Sequence, residues 1–156
     1  MKKVYILVFI MILALCGCSN AEENSNVKSS DVYEYTTKKA ETVEVSENAF
    51  VAKINEIYTN TDNYLGDNII IEGCFEKQTY NDKEYYYVYR TGPGCCGNDG
   101  AMCGFEFTYN GDMPTTDDWI RVEGILDKYE EDGQTYLTLN ASKVDVLTQR
   151  GLATVS

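Results

Sequence analysis

The chain has 156 residues, with 25 acidic side chains, 13 basic ones and no histidine, which gives a formal charge of −12 at neutral pH. Such a surface repels nucleic acids, whose binding depends on neutralising phosphate charge. Without histidine, neither a Ser-His nor a Cys-His catalytic pair can form, and no Gly-Lys-Ser/Thr phosphate-binding loop is present. The composition therefore favours a non-enzymatic protein that does not bind nucleic acid, and we predict no catalytic residues.

The first predicted segment is a secretory signal. After two lysines, residues 4–15 form an apolar run that is too short to cross a bilayer and typical of a signal peptide. The run ends in "LCGC", residues 15–18, which resembles the lipobox of bacterial lipoproteins. That resemblance implies that residues 1–17 are removed and that Cys18 carries acyl chains such as palmitate, which would hold the protein on the extracytoplasmic face of the cell membrane. An ordinary signal peptide with a soluble product is the alternative.

A polar stretch comes next, residues 18–45, rich in Ser, Asn, Glu and Thr. It contains too few large aliphatic side chains to offset the entropy of ordering, so we interpret it as a flexible tether. Residues 46–148 then form one predicted domain, long enough to build its own core. Residues 149–156 remain as a C-terminal tail.

The predicted domain begins with a helix and continues as strands. Ser46 is a candidate N-cap, and apolar residues recur at helical spacing through residues 47–60. β-branched and alternating patterns separated by turn residues then predict five strands, at residues 68–80, 84–90, 103–110, 119–129 and 134–147. Five short strands favour a mainly β fold, a small OB-like antiparallel barrel with one N-terminal helix. Glycines in "IIIEG" and "RVEG" would let two strands bend, and a β-sandwich is the alternative.

A second resemblance rests on "CCGNDGAMCGFEF" together with "WIRVEGIL". These segments resemble the C-terminal extracytoplasmic domain of an uncharacterised family of bacterial membrane proteins that is associated with a permease and carries a Cys-Cys-x-x-Asp motif. Cys95, Cys96 and Asp99 match that motif. The chain departs from the family in its lipobox, in the additional Cys74 and Cys103, and in an inserted "GPG". The resemblance implies an OB-like fold and a permease as partner.

The four remaining cysteines allow three interpretations. Cys74, Cys95, Cys96 and Cys103 form two disulfides, as is usual outside the cytoplasm. Alternatively they hold a metal such as zinc, with Asp99 as a further ligand, although the C-x₂-C spacing of zinc knuckles is absent. A thiol-redox site is the third, although no basic side chain lies within the cysteine loop to lower a thiol pKa.

A tyrosine-rich strand is the other candidate site. Alternation places Tyr85, Tyr87 and Tyr89 on one face of the strand, with Tyr86 and Val88 on the other. The first three would form an aromatic platform that binds a ligand such as a sugar. They could equally be packing residues, because tyrosine suits strands and its hydroxyl tolerates water.

These observations predict a lipid-anchored, extracytoplasmic binding or accessory module that uses its Cys-rich loop beside a permease or another envelope protein. The alternatives are a structural envelope domain with two disulfides and a thiol-redox protein.

Overall fold

The computed structural model describes residues 39–93 and 100–156. In chain order, these residues form β1 (Thr42–Glu44), a 3-10 turn (Glu47–Ala49), α1 (Phe50–Thr59), α2 (Thr61–Tyr64), β2 (Asn68–Tyr80), β3 (Lys83–Gly92), β4 (Ala101–Thr108), β5 (Trp119–Glu131) and β6 (Gln134–Val146). All five predicted strands are confirmed, with ends that differ by about two residues at most. The predicted helix is divided, because a 3-10 turn precedes α1 and the Ser46 side chain makes no capping hydrogen bond.

Five strands close a barrel in the order β2–β3–β4–β6–β5, with β5 pairing back onto β2. This confirms the predicted small, mainly β barrel with a helix before its first long strand. Four of the pairings are antiparallel, and the exception is a short parallel pairing of residues 106–108 in β4 with residues 138–140 in β6. The additional strand β1 lies parallel to the start of β2.

Strand alternation builds the core. Every second side chain points inward, and the buried residues from the barrel are Ile69, Ile71, Phe75, Val88, Phe105, Phe107, Ile120, Val122, Leu126 and Leu139. The helix α1 packs against them through Phe50, Ile54 and Ile57, which recur at helical spacing. Helix and barrel therefore share one core.

Two glycines of the predicted bends lie where neighbouring backbones approach closely. A Cβ atom at Gly73 would lie 2.4 Å from the Tyr89 carbonyl oxygen, and one at Gly124 would lie 2.9 Å from the Ala141 Cα atom. Gly124 also adjoins a register shift between β5 and β6. The predicted role of these glycines in shaping the strands therefore has a steric basis, because any side chain would force the strands apart.

Both long hairpins turn where the sequence predicts. Asn81 and Asp82 have positive φ angles of 49° and 62°, and Asp132 and Gly133 have 51° and 76°. Two consecutive residues with positive φ give a turn whose twist matches that of the strands. The hairpins β2–β3 and β5–β6 therefore continue as paired ribbons up to their tips.

The folded part extends beyond residues 46–148 at both ends. Strand β1 pairs with β2, and at the other end Val155 is buried and its amide donates to the Thr91 carbonyl at 2.9 Å. Residues 42–44 and 153–155 thus belong to the packed domain. The predicted signal (1–17), Cys18 and most of the tether lie outside the described residues. Within the described part of the chain, no helix is long and apolar enough to cross a membrane.

Candidate functional site: a tyrosine-lined groove

The predicted alternation along β3 is confirmed. Val88 is fully buried, and Tyr86 packs against the core beside the rings of Phe75 and Phe107, at centroid distances of 6.1 and 6.3 Å. Tyr85 and Tyr87 therefore face outward, where both line hollows in the surface. Because Tyr85 and Tyr87 do not pack in the core, the outer surface that they line is a candidate site.

One hollow has a volume of about 780 Å³ and lies between the helices and the barrel wall. Residues 58–63 of α1, α2 and their junction form one side. The other side is formed by residues of four strands, β3 to β6, among them Tyr87, Glu106, Lys128 and Tyr136. Its size falls in the range typical of small-molecule sites.

A second hollow of about 310 Å³ lies between the two long hairpins. The β2–β3 hairpin contributes Tyr80 and Tyr85, and the β5–β6 hairpin contributes Tyr129 and Glu131. Tyr87, Glu106 and Tyr136 line both hollows, so the two hollows adjoin in one surface region. We call it the tyrosine groove and define it by five tyrosines and two carboxylates: Tyr58, Tyr85, Tyr87, Tyr129, Tyr136, Glu106 and Glu131.

Hydrogen bonds hold the tyrosine rings in place. The Tyr85 hydroxyl donates to Glu131 Oε2 and the Tyr129 hydroxyl donates to Glu106 Oε2, both at 2.8 Å. The Tyr58 hydroxyl donates to the Gly104 carbonyl at 3.1 Å, and Tyr58 remains 48% exposed. The rings of Tyr129 and Tyr136 stack with their centroids 5.5 Å apart. Rings fixed before a ligand arrives lose less entropy on binding.

The two carboxylates differ in charge environment. Burial raises the pKa of Glu106, the neighbouring Glu131 raises it further, and the Tyr129 hydrogen bond only partly opposes both effects. At Glu131, hydrogen bonds from Lys83 and Tyr85 lower the pKa. Among the described residues, no lysine or arginine forms an ion pair with Glu106. Glu106 is therefore a half-buried carboxylate without a cationic partner in that part of the chain.

The surrounding hydroxyls show the effect of this negative charge. The hydrogen bond to Glu131, and then burial, raise the pKa of Tyr85 to about 12. Burial, with smaller contributions from Cys103 and Glu106, raises the pKa of Tyr58 to about 12. Burial and then Glu106 raise the pKa of Tyr87 as well. All three hydroxyls therefore stay neutral at physiological pH and add no charge of their own to the groove.

Tyr89, the third residue of the predicted platform, lies elsewhere. It pairs with Cys74 of β2 and Gly104 of β4, and it lines neither hollow of the tyrosine groove. The pKa of Tyr89 is raised mainly by burial, and the neighbouring Cys74 is the next largest cause. The structure thus brings Tyr85 and Tyr87 to the groove and separates Tyr89 from it.

Cys74 and Cys103 lie on opposite faces of the barrel wall. Cys74 shares the outer face with its ladder partner Tyr89, is only 8% exposed, and accepts a hydrogen bond from Arg150 Nη2 at 3.3 Å. Cys103 pairs with the buried Arg90 and packs against the core, and burial raises the pKa of its thiol. Both are free thiols, and strand β3 separates them. The structure does not bring these two cysteines together.

The other predicted cysteine-loop residues, Cys95, Cys96 and Asp99, lie outside the described residues, as does Cys18. Within residues 39–93 and 100–156, no group of three or more Cys, Asp or Glu side chains is placed to hold a metal ion. The site that the described residues do form is the tyrosine groove.

Sequence reasoning missed most of this groove. Glu106 alternates against buried Phe105 and Phe107, so its outward position is predictable from β4 alone. Tyr129 and Tyr136 flank a hairpin turn as ladder partners, which alternation also indicates. The signal that was lacking is long-range, because only the pairing of β4 with β6 brings the β5–β6 hairpin to this face of β4.

Comparison with known proteins identifies one family. Neither a curated protein nor a solved structure matches the chain. A family model does match, that of the DUF1980 C-terminal domain, over residues 20–150. Because this match covers most of the sequence, the chain belongs to the DUF1980 C-terminal domain family.

Proposed function

We propose that the protein is a non-enzymatic, lipid-anchored binding module on the extracytoplasmic face of the membrane, and that its ligand occupies the tyrosine groove. The observation that carries this proposal is the convergence of five tyrosines on Glu106 in one depression. Aromatic walls with a few convergent polar groups are typical of ligand sites. In OB-type barrels the equivalent strands and hairpin loops also bind ligands, including oligosaccharides.

The groove can be tested with matched tyrosines of one strand. Choline, spermidine, maltose and chitobiose, titrated separately by calorimetry, sample cationic and neutral ligands. We expect Tyr87→Ala to weaken binding of whichever probe binds, by about tenfold, because one aromatic contact contributes roughly 1–2 kcal/mol. Tyr89→Ala is the control, since Tyr89 lies two residues away on β3 and outside the groove. Equal losses in both variants, or no binding by any probe, would contradict a groove function.

The anchor is supported by the sequence of residues 15–18 and is tested by partitioning. Full-length protein expressed in a lipoprotein-processing bacterium is expected to enter the detergent phase of a Triton X-114 separation. Cys18→Ala removes the thiol that would receive the lipid, so this variant is expected in the aqueous phase. Cys16→Ala is the matched control, because the predicted cleavage removes Cys16 together with the signal. Identical partitioning of Cys18→Ala and the parent would contradict the anchor.

A permease is the partner that the family resemblance implies, and Cys95, Cys96 and Asp99 are the residues we propose for metal-related contact with it. Free Cys74 and Cys103 favour this arrangement over two disulfides. Mass spectrometry after thiol alkylation without reductant is expected to modify at least these two cysteines in the unfolded chain. Elemental analysis of the same sample tests for zinc. Two disulfides involving Cys74 and Cys103 would instead favour a structural envelope domain.

A further inference from the structure

The tyrosine groove presents two kinds of surface to a ligand, ring faces and carboxylate oxygens. The hydroxyls of Tyr85 and Tyr129 already donate to Glu131 and Glu106, and that of Tyr58 donates to Gly104. These hydroxyls are therefore not free to donate to the oxygens of a sugar. The groove exposes the negative faces of its aromatic rings and carboxylate acceptor oxygens, and both attract positive charge; the hydroxyls of Tyr87 and Tyr136 and the ammonium of Lys128 line it as well.

Glu106 lacks a compensating charge within the described chain. Of the nearby lysines, Lys83 pairs with Glu131, and Lys128, which lines the same hollow as Glu106, pairs with the exposed Asp62 at 3.2 Å. A half-buried carboxylate with one hydroxyl donor is incompletely stabilised. A positively charged ligand would supply the missing partner.

We infer that the tyrosine groove binds an organic ammonium cation, with its charged nitrogen at Glu106 and its carbon substituents against the rings of Tyr87, Tyr129 and Tyr136. This inference rests on the proposed function and specifies its ligand class. A bare metal ion fits less well, because calcium takes six or more oxygen ligands and no three acidic or thiol groups of the described residues converge. The 310 Å³ hollow between the hairpins suits a small ligand with apolar substituents.

The decisive comparison uses choline and its uncharged carbon analogue, 3,3-dimethylbutan-1-ol, with the full chain purified in mild detergent. The two molecules have nearly the same shape, so a difference in affinity reports charge. We expect choline to bind at least about tenfold more tightly, because cation–π contacts and the carboxylate act only on the charged form. Equal affinities, or no binding of choline, tetramethylammonium or spermidine at millimolar concentration, would overturn the inference.

Glu106→Gln tests the carboxylate directly. It keeps the size of the side chain and an oxygen that accepts from Tyr129, and it is expected to weaken choline binding by about tenfold. The control is Glu123→Gln, which makes the same charge change on β5 outside the groove and is expected to leave affinity within about twofold. Tyr136→Leu provides a second groove variant, and circular dichroism verifies the fold of each protein.

Lowering the pH is expected to weaken choline binding in the parent as Glu106 takes up a proton, and to have a smaller effect in Glu106→Gln. The titratable groups that line the two hollows with Glu106 are the hydroxyls of Tyr58, Tyr80, Tyr85, Tyr87, Tyr129 and Tyr136, the carboxylates of Asp62, Glu131 and Asp132, and the ammonium of Lys128. The raised pKa values of Tyr58, Tyr85, Tyr87 and Tyr129 keep these hydroxyls neutral over this range, and the lowered pKa of Glu131 keeps that carboxylate ionised to lower pH. Binding of maltose or chitobiose that depends on Tyr87, without choline binding, would retain the proposed function and overturn the cation inference.

Discussion

Arg90 is a buried charged side chain and Glu106 a half-buried one, and they differ in how many partners compensate their charge. Arg90 is 2% exposed, and its guanidinium lies between the rings of Phe50 and Trp119, at 4.7 and 4.9 Å from their centroids. It donates to Glu72 O at 2.8 Å, to Glu47 Oε2 at 2.9 Å and to Leu152 O at 3.3 Å. Glu106 has a single described hydrogen-bond partner, the Tyr129 hydroxyl. A charge with several partners within the chain serves the fold, and one with a single partner beside a groove is available to a ligand.

The largest effect that would test this contrast is loss of the Arg90 charge. Arg90→Met keeps much of the side-chain length but leaves two carbonyls without their donor, so we expect a loss of about 3 kcal/mol in the free energy of unfolding. Arg121→Met is the control, because Arg121 pairs with Glu44 and Glu72 on the partly exposed outer surface and should cost about 1 kcal/mol or less. Guanidinium denaturation measures both. Similar losses would show that burial of Arg90 adds nothing.

Shortening the chain weakens the same arrangement from its C-terminal side. A chain that stops after Gly151 loses the Leu152 carbonyl, the buried Val155 side chain and the pairing with Thr91, and we expect a loss of roughly 2 kcal/mol. A chain that lacks only Ser156 is expected to match the parent in thermal melting. If both truncations behave alike, the terminal residues do not contribute to the fold.

Glu106→Gln should stabilise the folded state, whereas Arg90→Met should destabilise it. The pKa of Glu106 in the fold lies above its ordinary value of 4.5, so protonation of this group stabilises the folded state. At pH 7 we therefore expect the variant to melt at a higher temperature than the parent. The difference should narrow as the pH falls through the raised pKa towards 4.5, where the parent also becomes neutral. A variant that melts lower at pH 7 would show that Glu106 supports the fold.

The smallest expected effect concerns one hydroxyl. Tyr129→Phe removes the only described donor to Glu106, so the pKa of Glu106 should rise further. In Tyr85→Phe, the matched variant, the lost hydroxyl served Glu131, and the pKa of Glu106 should change less. Carboxyl-carbon NMR titration of both proteins measures the shift. The same shift in both would mean that Glu106 senses the whole cluster rather than Tyr129.

The strands and turns were predictable because short stretches of the sequence determine them. Alternation gave the faces of β3, and residue pairs such as Asp132-Gly133 gave the hairpins. The tyrosine groove was not predictable, because Glu106 and Tyr129 meet only through the β4–β6–β5 order of the closed barrel. The sequence grouped Cys74 and Cys103 in one site, and the structure separates them. The face of the barrel wall that each cysteine occupies depends on the registers of β2 and β4 with β3, which the sequence alone does not reveal.

The contacts of Arg90 also determine when the domain can finish folding during synthesis. Glu47 and Glu72 emerge from the ribosome early, whereas Leu152 and Val155 are among the last described residues to be made. Until those residues are made, the Arg90 guanidinium lacks its bond to the Leu152 carbonyl. Strand β3, which carries Arg90, also lacks the hydrogen bonds of Thr91 with residues 153 and 155. These contacts therefore form only once residues 152–155 have been made, and a chain clipped before Leu152 opens more readily to proteases.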